Sequence, residues 1–133
     1  MTAIIDAGPI PLRVVSVHLA GTWKFDVAHI LQTSAAREAD FDDLERRLVG
    51  WGKPHILIAG DFNQPEASAN FGRLAPRLRR VDCGGATFPS DSPVIMLDHV
   101  LVPRGADIAK CEVIESDASD HRPLLVVLRG WGG

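Results

Sequence analysis

Six polar side chains interrupt or follow the apolar runs of this sequence, and their types suit work on phosphate esters and metal ions. They are His18, Asp61, Asn63, Asp98, Asp120 and His121. Each lies at or close to the end of a run whose composition is typical of a β-strand. Ligand crevices form at strand ends when sheets are layered with helices. The placement therefore predicts that these side chains gather in one pocket.

The segment GDFN, residues 60–63, places a carboxylate and a carboxamide two positions apart. In an extended chain Asp61 and Asn63 would point to the same side. The carboxylate could then hold a divalent cation or orient a water, while the amide donates to a phosphate oxygen. Glycine, aspartate and asparagine are also common turn residues. This segment alone therefore indicates a plain turn as readily as a phosphate site.

A second carboxylate, Asp98, is embedded in the apolar stretch MLDHVLV, residues 96–102. Burying an unpaired carboxylate is costly, so Asp98 is expected to have a partner. His121, in the segment SDHRP of residues 119–123, is the natural candidate. Such a pair fixes the imidazole tautomer and raises its proton affinity, as acid–base chemistry requires. His121 taken alone is more often a turn histidine that precedes a strand.

The remaining histidines give weaker signals. His18 closes a strand on the side where the loops should gather, although a lone histidine at a strand end is usually structural. His29 falls on a predicted helix, His55 opens a strand, and His99 alternates away from Asp98. We interpret these last three as structural residues.

Strand and helix patterns alternate along the chain and must position the polar residues. Apolar runs predict strands over 12–19, 55–63, 94–102 and 123–128. Helical spacing predicts a long helix that is capped by Asp26 and stops at Gly50 or Gly52, and a short helix over 66–75. This order favours an α/β (α+β) layered architecture.

The composition indicates one globular domain. The chain has 133 residues, of which 46% are hydrophobic and 23% charged, with a formal charge of −3. That charge argues mildly against tight nonspecific nucleic-acid binding. Cys83 and Cys111 are too few for a disulfide framework and are expected to be reduced, buried residues. No signal-peptide pattern or membrane-length apolar run occurs in the sequence, so we expect a cytoplasmic location by default.

Five segments, taken in order, carry a family resemblance. They are VVSVHL (14–19), ILIAGDFN (56–63), ATFP (86–89), MLDHVLV (96–102) and SDHRPLLVVL (119–128). Together they resemble the endonuclease/exonuclease/phosphatase superfamily, the deoxyribonuclease I-like proteins. The resemblance implies part of a β-sandwich of two mixed sheets flanked by helices. It also implies Mg²⁺, or alternatively Mn²⁺, as cofactor, and attack of an activated water on a phosphoester.

The resemblance assigns catalytic roles to His18, Asp61, Asn63, Asp98 and His121. Asp61 and Asn63 would surround the scissile phosphate, with Asp61 orienting the attacking water or the leaving group. His121, held by Asp98, would contact the phosphate and act in acid–base chemistry. His18 is similar to a second active-site histidine. Asp120 would be a metal ligand, with Asp61 as a further candidate.

The chain departs from the family pattern at its beginning. Family domains start with a strand carrying an asparagine, then a helix and a strand ending in a metal-binding glutamate, and neither strand precedes His18 here. Residues 1–133 are therefore expected to be the C-terminal portion of such a domain. The uncovered sheet face could then promote self-association. In-frame coding sequence upstream of Met1 that supplies these strands would favour an active enzyme. A nearby stop codon would favour an inactive fragment.

Two functions from different classes follow. The first is a metal-dependent phosphoesterase, with nucleic acid or a phospholipid headgroup among the candidate substrates and with the activity of this short form in doubt. The second is a catalytically inactive fragment or binding module that retains the second half of the fold.

Overall fold

The computed structural model describes residues 2–6, 11–21, 27–52 and 55–131. Its elements, in chain order, are β1 (Thr2–Asp6), β2 (Pro11–His18), α1 (Val27–Gly50), β3 (His55–Asp61), α2 (Asn70–Leu74), β4 (Leu78–Arg80), β5 (Asp98–Pro103), β6 (Asp107–Val113) and β7 (Leu124–Gly130). The predicted helix end at Gly50 is confirmed, whereas the predicted cap Asp26 lies outside the described residues. Within those residues, no helix combines the length and apolarity needed to cross a membrane.

The strands form two sheets, as expected for a mixed α/β fold. The larger sheet has the order β1-β2-β3-β5-β4, in which only β2 and β3 run parallel, and β6 and β7 form a two-stranded sheet. The fifth strand is shorter than the predicted run of 94–102. It begins at Asp98, because Ile95 instead makes an isolated bridge with Phe88.

The five-stranded sheet lies between two apolar layers. On one face Phe41, Leu44 and Leu48 of α1 pack with Ile58 of β3 and Leu101 of β5. The other face packs against the β6–β7 hairpin.

Side chains point alternately to the two faces of β5, so this one strand contributes to both apolar layers. Leu101 joins the helical side, whereas its neighbours Val100 and Val102 join Leu124 and Val126 of β7. The sheet is therefore packed on both faces, and its strand ends carry the polar residues.

Strand register places three of the predicted site residues in one row. In the parallel pair β2–β3, His18 is the partner of Asp61. In the antiparallel pair β3–β5, Asp61 is the partner of Asp98. Residues that are partners across a ladder have neighbouring side chains on the same face. The fold thus delivers an imidazole and two carboxylates to the same edge of the sheet.

Cys83 and Cys111 form a disulfide, with their Cα atoms 4.7 Å apart. The expectation of reduced thiols is therefore wrong. The bridge joins the segment after β4 to β6, and both cysteines pack against the apolar layer between the sheets. Residues 28 positions apart meet because the hairpin folds over β4 and β5, which the spacing in the sequence does not reveal.

Reducing this disulfide is expected to lower the free energy of unfolding by about 2–4 kcal/mol, because the open chain regains loop entropy in the unfolded state. Urea titrations with and without reductant measure the change. The double variant Cys83→Ala/Cys111→Ala should unfold at the same urea concentration with and without reductant. An unchanged midpoint for the reduced natural chain would show that the bridge contributes nothing to stability.

Candidate active site

Asp61 and Asn63 are held together by a turn at the end of β3. Asp61 Oδ1 accepts the backbone N–H of Asn63 at 2.7 Å, and Asp61 Oδ2 accepts Asn63 Nδ2 at 3.1 Å. Asn63 has a φ of 48°, in the left-handed region that asparagine tolerates. Of the two conformations that the sequence left open for this segment, the structure therefore has the turn. The turn is what brings the carboxylate of Asp61 and the carboxamide of Asn63 together.

The loop after β2 closes over the Asn63 carboxamide. Asn63 Nδ2 also donates to the carbonyl oxygen of Leu19 at 2.8 Å. Gly21 approaches so closely that an added Cβ would lie 2.7 Å from Asn63 Oδ1, so a larger residue here would have to displace the carboxamide. Both N–H groups of the carboxamide are thus engaged, one by Asp61 and one by Leu19.

Helix α1 anchors both of these segments from one side. Asp40 accepts the backbone N–H of Ala20 through Oδ2 at 3.2 Å. Arg37, three residues earlier on the helix, donates from one guanidinium nitrogen to the carbonyl oxygen of Asn63 at 3.3 Å. The helix therefore fixes the loop after β2 and the turn after β3 relative to each other.

The predicted hydrogen bond between Asp98 and His121 is present, with His121 Nδ1 2.7 Å from Asp98 Oδ2. A carboxylate can only accept, so Nδ1 carries the proton and donates it. The other ring nitrogen, Nε2, lies 3.9 Å from Asp61 Oδ2. The pair thus orients the imidazole so that Nε2 faces the carboxylate of the Asp61 turn.

Opposing effects set the pKa values of His121 and Asp61. Burial lowers the pKa of His121, but the hydrogen bond to Asp98 and the charges of Asp98, Asp61 and Asp120 outweigh it, so the pKa is raised. Burial raises the pKa of Asp61, and the charge of Asp98 adds to this. The backbone N–H of Asn63 and the two histidines only partly offset that rise. Both shifts favour protonated forms inside the site.

His18 lies on the other side of Asp61 and is much less constrained. Its Nε2 is 3.6 Å from Asp61 Oδ2, and its side chain is 80% exposed. The side chain of His121, in contrast, is 22% exposed. Of the two histidines beside Asp61, only His121 is therefore held by both burial and a hydrogen bond.

All six residues singled out by the sequence line one open cleft of about 670 Å³. Asp120 is exposed there, and one of its oxygens accepts the hydroxyl of Ser119 at 3.2 Å. Asp61, Asp98 and His121 could hold a metal ion, since one ligand atom from each lies within 4.8 Å of the others. Asp120 lies outside this group, and its predicted role as metal ligand stays a prediction.

Two of the three histidines interpreted as structural, His55 and His99, lie outside the lining of this cleft. His99 is buried, its Nε2 is 2.8 Å from the carbonyl oxygen of Gln64, and burial lowers its pKa. His55 lies beside the ring of Trp131, and His29 is on α1.

Several lining residues were assigned no role from the sequence, and Phe88 is the one whose ring contacts His121. The ring of Phe88, in the segment ATFP, lies 4.9 Å from the ring of His121, centroid to centroid. The only signal was the presence of ATFP among the segments that carry the resemblance.

Comparison with known proteins is consistent across sequence and structure. Residues 4–121 match the sequence model of the Endonuclease/Exonuclease/phosphatase family. A curated UPF0294 protein of Vibrio cholerae is 38% identical over 79 residues, and one of Vibrio campbellii is 35% identical over the same length. In both cases the match covers 56% of this chain and 27% of the relative, so the chain matches about a quarter of their length.

Solved structures show the same fold. Sphingomyelinase C from Streptomyces griseocarneus has a TM-score of 0.73 and 21% identity, covering 94% of this chain and 56% of its own. The endonuclease/exonuclease/phosphatase from Bacteroides vulgatus has a TM-score of 0.68 and 18% identity, covering 93% and 51%. A beta toxin variant from Staphylococcus aureus with bound magnesium ions has a TM-score of 0.70 and 13% identity, covering 94% and 56%.

Proposed function

The chain belongs to the endonuclease/exonuclease/phosphatase family, and from that membership we propose that it carries the site of a metal-dependent phosphoester hydrolase. One observation carries the proposal. The Asp61–Asn63 turn and the Asp98–His121 pair come from distant parts of the chain and face each other across one cleft. A carboxylate opposite an oriented imidazole can serve two roles at one phosphoester. The carboxylate can orient a water, and the imidazole can contact the phosphate oxygens.

His121 is the group proposed to contact the phosphate. Its Nδ1 proton is held by Asp98, so Nε2 is the nitrogen that faces the cleft. The raised pKa favours the imidazolium, which donates from Nε2 to a phosphate oxygen and can transfer that proton to the leaving group. Asp98 keeps the ring oriented and stabilises its positive charge.

Asp61 is proposed to orient the attacking water or the leaving group. Its Oδ1 is occupied by the backbone N–H of Asn63, and its Oδ2 lies between the two histidines. Because both N–H groups of the Asn63 carboxamide are engaged, we assign Asn63 to holding Asp61 in place. Direct donation from Asn63 to phosphate would require one of those hydrogen bonds to break.

The donor set fits a hard divalent cation, because the cleft offers the carboxylate oxygens of Asp61, Asp98 and Asp120. Asp98 is assigned to orienting His121, so Asp61 and Asp120 are the residues proposed to hold the ion. When bound, Mg²⁺ would stabilise charge on the phosphate and activate a coordinated water. This assignment predicts a site with few charged ligands from this chain.

We further propose that residues 1–133 form the C-terminal portion of the family domain. We expect weak Mg²⁺ binding and very low turnover for this chain alone, because few carboxylates remain for the ion. The test is Mg²⁺ titration by calorimetry, alongside turnover of a chromogenic phosphodiester, plasmid DNA, sphingomyelin and a phosphoinositide. Asp91→Asn, which changes a carboxylate outside the cleft lining, is the control for Mg²⁺ binding.

The outcomes separate the candidate functions. Turnover of any of these substrates that is lost with chelator supports the hydrolase. Turnover that survives chelator contradicts metal dependence. Tight binding of a phosphoester without turnover, in a longer form as well as in this chain, favours a binding module. Tight Mg²⁺ binding and fast turnover by residues 1–133 alone would contradict the assignment of the metal ligands.

A further inference from the structure

Thr87 is a fully buried polar residue that the proposed reaction does not use. Its exposed fraction is 0%, and its hydroxyl oxygen accepts two backbone N–H groups, from Leu97 at 3.1 Å and from Asp98 at 3.3 Å. Asp98 is the first residue of β5, and Leu97 directly precedes it. The hydroxyl therefore fixes the backbone from which the Asp98 carboxylate projects.

The same residue also holds the segment that carries His121. The backbone carbonyl of Thr87 accepts the N–H of Arg122 at 2.8 Å, and Arg122 directly follows His121. Phe88, the residue after Thr87, places its ring 4.9 Å from the imidazole of His121, centroid to centroid. One short segment thus contacts both chain segments whose side chains meet in the Asp98–His121 pair.

We infer that Thr87 is a positioning residue, which sets the distance and angle between Asp98 and His121 from behind the cleft. The inference rests on the proposed function of that pair. Asp98 and His121 are 23 positions apart in sequence, and their 2.7 Å contact depends on how two separate segments are placed. A shift at Thr87 would take the hydroxyl acceptor away from the half-buried N–H groups of Leu97 and Asp98, and the cost of losing these hydrogen bonds opposes such movement. This bracing keeps the imidazole aligned before substrate arrives.

The test compares Thr87→Val, which keeps the shape but loses the hydroxyl, with Thr87→Ser, which keeps the hydroxyl. Thr33→Val is the matched control, because Thr33 is also buried but lies on α1, outside the cleft lining. The first readout needs no turnover. It is the Nδ1–H signal of His121 in ¹⁵N-histidine-labelled, metal-free protein, observed by nuclear magnetic resonance.

In Thr87→Val we expect the Nδ1–H signal to move upfield and exchange faster with water, because the bond to Asp98 lengthens. Thr87→Ser and Thr33→Val should keep the natural signal. In a form of the protein that hydrolyses a phosphoester, Thr87→Val should lower kcat about 10–100-fold with KM unchanged. Thr87→Ser should restore most of that loss.

A natural Nδ1–H signal in Thr87→Val, together with a stability loss like that of Thr33→Val, would overturn the inference and leave Thr87 a merely structural role. If Thr87→Val does not fold, Thr87→Cys gives the same comparison, since a thiol of similar size is a weaker acceptor. A changed signal without any turnover in the natural chain supports the positioning role and counts only against the proposed function.

Discussion

Replacing His121 by alanine is expected to lower kcat about 10²–10⁴-fold and to leave KM almost unchanged. The imidazole is the better fixed of the two histidines in the cleft, with Nδ1 hydrogen-bonded to Asp98 and Nε2 directed at Asp61. Its proposed work, donating to the phosphate and the leaving group, is strongest in the transition state. The loss of such a group appears in kcat rather than in ground-state binding.

The measurement is steady-state turnover of a chromogenic phosphodiester by a form of the protein that is active with Mg²⁺. His55→Ala and His29→Ala are the controls and should cost little, because His55 lies at the start of β3 outside the cleft lining and His29, on α1, is interpreted from the sequence as structural. Comparable losses from all three substitutions would show that the ranking of the histidines is wrong.

The central strands could be predicted because their apolar residues occupy buried positions. Residues 12–19 and 55–63 are β-branched or apolar runs, and β2 and β3 lie at the centre of the larger sheet. The strands β1, β4 and β6 were missed. Strand β4 is the three-residue segment LRR, and β6 is a partly exposed run with charged residues and register shifts beside Ile108, so neither shows the apolar run of a buried strand. These strands form because a neighbouring strand supplies their hydrogen bonds.

The candidate site was likewise predictable in part. The Asp98–His121 bond followed from the cost of burying a lone carboxylate in an apolar strand. The conformation of Asn63 did not follow, because it depends on a left-handed turn that bonds back to Asp61. The role of Thr87 could not be predicted either, since a hydroxyl that accepts backbone N–H groups leaves no pattern in sequence.

Asp61→Asn is expected to lower kcat about 10²–10⁴-fold, because it removes the charge between the two histidines. The new amide nitrogen would also meet Asn63 Nδ2, donor against donor, where a 3.1 Å hydrogen bond exists now. Asp82→Asn is the matched control. Asp82 accepts the N–H of Gly84 at 3.0 Å in the same kind of two-residue turn, but it is exposed and outside the cleft lining. It should retain natural turnover.

The double variant Asp61→Asn/His121→Ala then tests whether the two groups act as one unit. Nε2 of His121 and Oδ2 of Asp61 are 3.9 Å apart, so the proposed mechanism has them act on the same phosphate in the same step. Groups that act as a unit give losses that do not multiply, because the first substitution already removes most of what the second could remove. We expect the double variant to fall no more than about tenfold below the slower single variant. Losses that multiply in full would mean that Asp61 and His121 contribute independently, and the shared role at the phosphate would have to be abandoned.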